Sequence, residues 1–498
     1  MRGCVTVTAA IAVVCAALQA PAATILVTSS ADNGPNTLRA AITAANSNDT
    51  IAFALNLPAT ITLTAGELLI TKNLTISGPG SGSLTISGNN SGRVFNIGTS
   101  NTVTISGVRI ADGVAGAGGV GAGIYVDTAT LTLINCAVHN NHASGGGTAS
   151  GGGIYSNQTQ LTLNGCTVDS NTATGNGGGI YTTGSSLTID RSVITANSAV
   201  IGGGAFNGAG TVSITNSLAN TNTATHGGGV ANVGTLGTAT LNLNNCTFSS
   251  NTVSGTSATG SQIYNSRQLT TTSGNIANTT IVSDNVAAGF SGGAVYNNNG
   301  ASLTIGNSIL DATAQEHTII NNGTSTFTSA GFNLALDNGA GLLTALGDQT
   351  NTNPLLDPSG LKDNGGATFT FALQGTSPAV DRGQRDTIAA LAAGADQRGE
   401  PRPYNLRFLP GPPGDRSDIG SYEADFRLTN LNRAASDLQF NFTTVIGRSY
   451  QLQSRSSLST GDWASFGNMA AGNGGIMSLT ATNALAPTRQ FFQVLQSQ

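Results

Sequence analysis

Apolar residues in the middle of this chain come in pairs split by one polar residue: Leu131 and Leu133, Leu161 and Leu163, Leu187 and Ile189, Val212 and Ile214, Leu241 and Leu243, Leu303 and Ile305. That alternation has the two-residue period of a strand with one buried face. A glycine-rich phrase ending in an aromatic residue precedes most pairs, as in Gly151-Gly152-Gly153-Ile154-Tyr155 and Gly177-Gly178-Gly179-Ile180-Tyr181. A third short strand follows, opened by a small residue and closed by Asn: Cys136 to Asn140, Cys166 to Asn171, Ser192 to Asn197, Ser217 to Asn222, Cys246 to Asn251. Tyr125, Tyr155, Tyr181 and Phe206 are 30, 26 and 25 residues apart, and Ala231, Tyr264 and Tyr296 continue the series. Three short strands per period predict an all-β chain, a right-handed parallel β-helix whose turns stack like residues about 4.8 Å apart.

Within such a turn the glycines supply positive φ and close backbone approach at a corner. No helix signal follows them, which removes a phosphate-cradling loop, and no Asp recurs at the spacing of calcium-binding glycine repeats. Asn140, Asn171, Asn197, Asn251 and Asn285 are expected to adopt left-handed angles and bond from turn to turn as a ladder. Cys136, Cys166 and Cys246 hold one repeat position, filled elsewhere by Ser192, Ser217, Thr279 and Ser308. In-register parallel strands orient side chains poorly for a disulfide, so an inward stack of free thiols is expected.

The flanks differ from the repeat. Residues 1–23 carry Arg2, an apolar run from Val5 to Leu18 and the small residues Ala20 and Ala22, as a cleaved export signal would. In residues 24–50, Leu38, Ala41, Ile42 and Ala45 share one helical face behind Asn36 as N-cap, predicting a helix that covers the first turn. The solenoid is expected over 51–345 and a second flank over 346–425. Residues 426–498 alternate at period two, as in Leu438-Gln439-Phe440-Asn441-Phe442, and predict a small antiparallel β module with Trp463 in its core.

Only 9% of the 498 residues are charged and the net charge is −5, which argues against nucleic-acid binding or a polybasic membrane contact. Within the repeat the carboxylates are Asp112, Asp127, Asp169, Asp190 and Asp284, of which only Asp169 and Asp190 lie in adjacent turns. Paired carboxylates on adjacent turns are what glycoside hydrolysis would need. His139 and His142 form a His-x-x-His pair, read as lying in a loop between turns, where two ligands without a third make a weak zinc site. Charge is densest in the second flank, where Asp381, Asp396, Asp418 and Glu423 are interleaved with Arg382, Arg398, Arg402 and Arg416. Arginine–carboxylate pairing is the expected use of these groups, ahead of calcium binding or acid–base catalysis. No catalytic, cofactor-binding or metal residue is assigned.

Two stretches carry a resemblance. Asn36-Thr37-Leu38-Arg39-Ala40-Ala41-Ile42, Asp49-Thr50-Ile51 and Ile76-Ser77-Gly78-Pro79-Gly80 are similar to the N-terminal segment of bacterial surface β-helix proteins, with Asn36-Thr37 and Ala40 departing from the usual Cys-Ser and Glu. Asn353-Pro354-Leu355-Leu356, Ser377-Pro378-Ala379-Val380-Asp381-Arg382-Gly383, Asp396-Gln397-Arg398-Gly399 and Asp418-Ile419-Gly420-Ser421-Tyr422-Glu423 resemble the choice-of-anchor Q domain. The resemblance implies a secreted or surface-displayed bacterial protein and brings no catalytic residues with it. Two functional readings follow. The first is a non-enzymatic, monomeric extracellular solenoid, an adhesin or interaction protein whose partner is matrix, polysaccharide or a cell-surface component, without an integral membrane span after signal cleavage. The alternative is a polysaccharide-active enzyme, pectate lyase-like or a glycoside hydrolase, or a carbohydrate-binding protein, using Asp169 and Asp190 or the Asp396 and Asp418 region.

Overall fold

The computed structural model describes residues 22–116, 118–146, 148–255, 257–283, 293–312, 317–403, 413–424 and, with short breaks, 428–497. The expected export signal falls almost wholly outside these residues, as do Asp284 and Asn285.

Three long parallel sheets build the molecule, with 12 strands in sheet A, 11 in sheet B and 10 in sheet C. Each turn contributes one strand to each sheet, in the chain order C, A, B, as with Ile154–Asn157, Gln160–Asn164 and Thr167–Asp169. A fourth strand of two residues follows in several turns, for example Thr172–Ala173, so these turns have one more side than the three expected. Leu131 pairs with Leu161 and Leu161 with Leu187, while Leu133, Leu163 and Ile189 form a parallel ladder. These side chains are fully buried, and each adds about 1.5–3 kcal/mol through apolar burial.

The corners explain the glycines and part of the Asn content. Gly177 opens its phrase at φ +66, and a methyl group placed on Gly179 would lie 2.5 Å from the carbonyl oxygen of Gly204 in the next turn. Positive φ and close stacking therefore act on different glycines of one phrase. Between sheets A and B the chain turns on one left-handed residue, such as Asn135, Asn216, Asn245, Asn278 or Asn307. Asn tolerates that conformation better than most residues because its short amide bonds locally.

The predicted Asn ladder exists, one residue displaced at its first member. It comprises Asn141, Asn171, Asn197, Asn222 and Asn251, all buried. The Nδ2 of Asn171 donates to Oδ1 of Asn197 at 2.9 Å and to the carbonyl of Val138 at 2.9 Å, while its backbone N–H donates to the same Asn197 Oδ1 at 3.0 Å. Asn197 repeats this toward Asn222, and Asn222 toward Asn251. Asn140 instead sits at the corner itself, at φ 52, and donates to Asp112. The left-handed residue is thus the one before each ladder member, as with Ser170, Ala196, Thr221 and Ser250. An amide turned inward cannot also occupy the outward corner position. A second ladder escaped the sequence reading: Asn207, Asn232, Asn265, Asn297 and Asn321 link through Nδ2–Oδ1 bonds of 2.7–2.8 Å along sheet C.

Cys136, Cys166 and Cys246 are free and buried, at the inward position expected. Burial pushes the thiols of Cys166 and Cys246 up to about 12, which keeps them protonated and unreactive.

At the N-terminal end, helix α1 (Leu38–Ala44) buries Leu38, Ala41 and Ile42. Its N-cap is Thr37, whose side chain accepts from the Ala40 N–H, and Asn36 lies outside at φ 60. The strand Thr24–Val27 before it already pairs in sheet A with Asp49–Phe53, so the ladder begins within the expected cap segment. Asp32 ties this end together: it accepts from Arg39 Nε, Thr64 N and Ala65 N, each at 2.8 Å. At the far end Leu342 and Leu343 pack onto the main core and close it. The second flank starts on that end, with Gln349 paired in parallel to Leu334, and then leaves it. It lies along the outer face of sheet B, where Thr247, Thr280 and Ile309 are buried beneath it and Ile309 joins a cluster with Ala379, Val380, Ile419 and Tyr422. Ile309 is an outward apolar side chain that needs a cover, and the hydroxyls of Thr247 and Thr280 bond to Gln397 and Ser421 of the flank.

The C-terminal module is antiparallel, with strands Leu428–Ala434, Asp437–Thr443, Ser449–Arg455, Ile476–Ala481 and Phe491–Ser497. Phe440, Phe442, Tyr450 and Leu452 fill its core. Trp463 is half-buried outside that core, with the Arg455 guanidinium 4.5 Å above its ring, a place in which an indole keeps its polar edge wet. Among the described residues no helix is long and apolar enough to cross a membrane.

Two outcomes test this account. Asn197→Ala strands the Asn171 amide, its N–H and the Val168 carbonyl, and should lower stability by about 3 kcal/mol or more in chemical denaturation, while Asn140→Gly should cost under about 1. Burial would raise the Asp32 pKa, but the Thr64 and Ala65 N–H groups and Arg39 outweigh it and hold the carboxyl below its ordinary value. A depressed carboxylate adds stability above its unfolded pKa and loses it as pH falls through the folded one. Asp32→Asn should therefore expose the first turn to protease at pH 7, and the difference from wild type should shrink below about pH 4.

Candidate functional site

The outer face of sheet B holds the densest set of chemical groups on the solenoid. Ala111, His139, Asp169 and Thr195 are register partners on successive strands. Stacking brings His139 Nδ1 to 2.6 Å from Asp169 Oδ2, with the side chains 30% and 19% exposed. One turn earlier Asp112 accepts from Asn140 Nδ2 at 2.7 Å and Ser87 Oγ at 3.1 Å. Arg109 stands on the same face two residues before Ala111, its Nε buried without a hydrogen-bond partner. A carboxylate that orients an imidazole is the elementary unit of general acid–base chemistry. Here it lies on the part of sheet B that precedes the flank's cover.

His139 and His142 do not form a site together. Both lie on strands and not in a loop, since stacking continues through this corner, and His142 bonds to Thr172 Oγ1. Asp169 and Asp190 also fail to meet. Asp169 ends a sheet B strand, whereas Asp190 ends the sheet A strand that leads into the next turn of sheet B. Asp190 is occupied by Arg191 Nε at 2.8 Å, Thr215 Oγ1 at 2.9 Å and Asn216 Nδ2 at 2.8 Å.

In the second flank Asp381, Asp396, Asp418 and Glu423 are all buried. Asp396 accepts from Arg398 Nε at 2.8 Å and from the N–H groups of Arg398, Glu400 and Glu423. Asp418 takes the N–H groups of Asp381 and Ala424, and its own N–H donates to Glu423 Oε2 at 2.9 Å. Burial, reinforced by the nearby Glu423, drives the Asp418 pKa well above the ordinary carboxylate range. Arg402 approaches Glu423 and donates to the Gly420 carbonyl at 2.6 Å, and Arg398 covers the Tyr422 ring at 3.9 Å. These groups hold irregular loops on sheet B. Arg382 is exposed and borders a cavity of about 540 Å³ with Asp348, Thr376 and Pro378. Among the described residues no group of three or more His, Cys, Asp or Glu is placed to hold a metal ion.

Sheet C presents its aromatic residues outward as a stack. Tyr125, Tyr155, Tyr181 and Phe206 follow at centroid distances of 5.7, 4.9 and 5.1 Å with nearly parallel rings, and Arg93 covers the first ring at 5.0 Å. Where Ala231 leaves the register position empty of a ring, His226 stacks on Tyr264 at 5.1 Å. Burial holds the His226 pKa below its ordinary value. Burial and the neighbouring tyrosines push Tyr155 up to about 12. Ring faces spent on one another are not offered to a sugar, so the stripe that marks the repeat in the sequence is part of its packing.

Sheet A differs from both. Thr24, Thr50, Thr75, Thr104, Thr132, Thr162 and Thr188 are register partners on seven successive strands, continued by Ser213, Asn242, Asn275, Thr304 and Thr328. Two residues earlier on the same face runs a second column, Thr102, Thr130, Gln160, Ser186, Thr211, Thr240, Ser273, Ser302 and Thr326. Neither column contains an ionisable side chain. From the sequence these Thr, Ser and Asn residues are expected to form a long polar surface for adhesion, but their arrangement in columns on one sheet is not read there, although the Thr-Val-Thr and Thr-Leu-Thr phrases at 102–104 and 130–132 carried the signal.

Comparison with protein-family models and with curated proteins finds no match for the chain. The functional argument accordingly rests on the solenoid and on what its three outer faces present.

Proposed function

We propose that this chain is a secreted or cell-surface protein that works by binding, an adhesin or extracellular interaction protein whose active part is the surface of the solenoid. The observation that carries the reading is the contrast between faces. Asp112, Asp127 and Asp190 on the repeat are tied to neighbours in adjacent turns, Asp112 to Asn140, Asp127 to Asn157 and Asp190 to Asn216. The broad uncharged columns of sheet A keep their hydroxyl groups outward. A long, regular surface of this kind suits an extended partner such as matrix, polysaccharide or a cell surface. The choice-of-anchor Q resemblance and the apolar N-terminal segment support export from a bacterial cell and retention at its surface or release.

One arrangement favours a second reading, a polysaccharide-active enzyme: the His139–Asp169 contact on the open part of sheet B, with Asp112 and Arg109 nearby. A screen of the full chain against pectins, alginates and plant glycans separates the two. Binding without release of reducing or unsaturated ends is the expected result. Depolymerisation that disappears in both His139→Ala and Asp169→Ala, with folding intact, would replace the binding reading with the enzymatic one.

A further inference from the structure

We propose that the outer face of sheet A is an ice-binding surface, its ligand being the ordered lattice of crystalline water. The inference deepens the proposed function, because it takes the solenoid surface to be the binding surface and names what lies against it.

The array is regular in two directions. Along the solenoid axis the threonines repeat with the spacing of stacked parallel strands, about 4.8 Å, and across it the two columns are two residues apart, about 6.6 Å. The axial repeat is close to the shorter repeat of the oxygen lattice on a prism face of hexagonal ice, and the spacing of the columns lies below the longer one. Seven consecutive threonines carry the axial repeat from Thr24 to Thr188 without a change of residue type.

Strand propensity accounts for threonine on any exposed strand, but it does not account for the choice of face. The equivalent outward column of sheet B reads Ala111, His139, Asp169, Thr195, Asn220, and that of sheet C reads Tyr125, Tyr155, Tyr181, Phe206. Among the described residues of the three long sheets, only sheet A repeats one small hydroxyl residue over seven strands. Among the described residues, the hydroxyls of Thr104, Thr132, Thr162 and Thr188 form no hydrogen bond to a protein group, unlike His139 or Asn157, which bond to an adjacent turn. These hydroxyls are left to order water.

Threonine also suits the task better than serine. Its branched Cβ restricts χ1, so hydroxyl and methyl recur in the same orientation from turn to turn, and an array that starts ordered loses less entropy on binding. Both columns lack ionisable groups, which matches a lattice without net charge, and the one carboxylate of the next outward column, Asp190, is neutralised by Arg191 at 2.8 Å. Sheet A is left through two-residue corners such as 135–136 and 165–166, while the entries to it from sheet C lengthen to 235–238 and 268–271 in the later turns, so the threonines from Thr104 to Thr188 lie on the part of the face with short connections.

The test uses the purified full chain in nanolitre osmometry and an ice-recrystallisation assay. Faceted ice growth with thermal hysteresis is expected at micromolar protein. Thr132→Tyr and Thr162→Tyr, which place a ring above the plane of the array, should each reduce activity about tenfold or more, a loss of roughly 1.4 kcal/mol or more in binding. Thr195→Tyr on sheet B should leave activity unchanged, and circular dichroism should show all three folded. Wild-type protein that neither shapes ice nor slows recrystallisation overturns the proposal, as does full activity in both sheet A variants. Sedimentation with crystalline chitin and cellulose forms the second arm. Binding there that is lost in the sheet A variants, with no effect on ice, overturns the ice assignment and leaves the adhesive reading of the surface standing.

Discussion

Every feature of this chain is conditioned by one constraint, the in-register stacking of each turn on the next. Backbone hydrogen bonds run from turn to turn, so a residue meets its own equivalent above and below at strand spacing. A side chain is tolerated at a position only if it can stack on a copy of itself or on a compatible neighbour. Leucine can, through dispersion and apolar burial. Buried asparagine can, because its amide has a donor for the turn beyond, a second donor for a backbone carbonyl and an acceptor for the N–H of the preceding ladder residue. A carboxylate stacks poorly on a copy of itself, and Asp112, Asp169 and Asp190 each sit beside an asparagine, a histidine or an arginine of an adjacent position.

The same constraint decides how much was legible in the sequence. Periodicity exposed the ladders of Leu and Ile, the glycine corners and the inward thiols, since each depends on local residue type repeated at a fixed interval. Where two adjacent residues of one type compete, the interval alone does not choose between them. Asn140 and Asn141 are such a pair, and the choice turns on which amide points inward after a left-handed corner. His226 shows a further limit: it belongs to the aromatic stack only because Ala231 leaves room for its ring, a relation between residues of different repeat positions. The second flank is the third case, for nothing in its own sequence states which face of the solenoid it covers. Its position follows from Ile309, an outward residue too apolar to be left wet, and from Thr247 and Thr280, whose hydroxyls bond to Gln397 and Ser421 of the flank.

Chemistry was harder to read than architecture for a related reason. The carboxylates singled out by spacing, Asp169 and Asp190, prove to occupy different corners, and His139 with His142 are drawn to separate partners. The contact that does form, His139 to Asp169, joins residues 30 positions apart that share a register column. Counting within a turn cannot reveal it, while aligning the turns can.

Stacking also divides the solenoid's surface by the cost of satisfying it. On sheet C the aromatic rings satisfy one another, and on sheet B the polar groups pair or are covered by the flank, so both faces have spent their interactions inside the protein. Sheet A has not. Its threonines contribute strand propensity to the fold through backbone and methyl group, and this leaves the hydroxyl available outside. A face that stabilises the solenoid with one half of each side chain and presents the other half at a fixed lattice spacing can be selected for binding without loss of stability. That separation of roles places the most regular surface of the molecule where it carries the least structural burden, and it makes sheet A, rather than the charged groups, the part of the chain in which function is best sought.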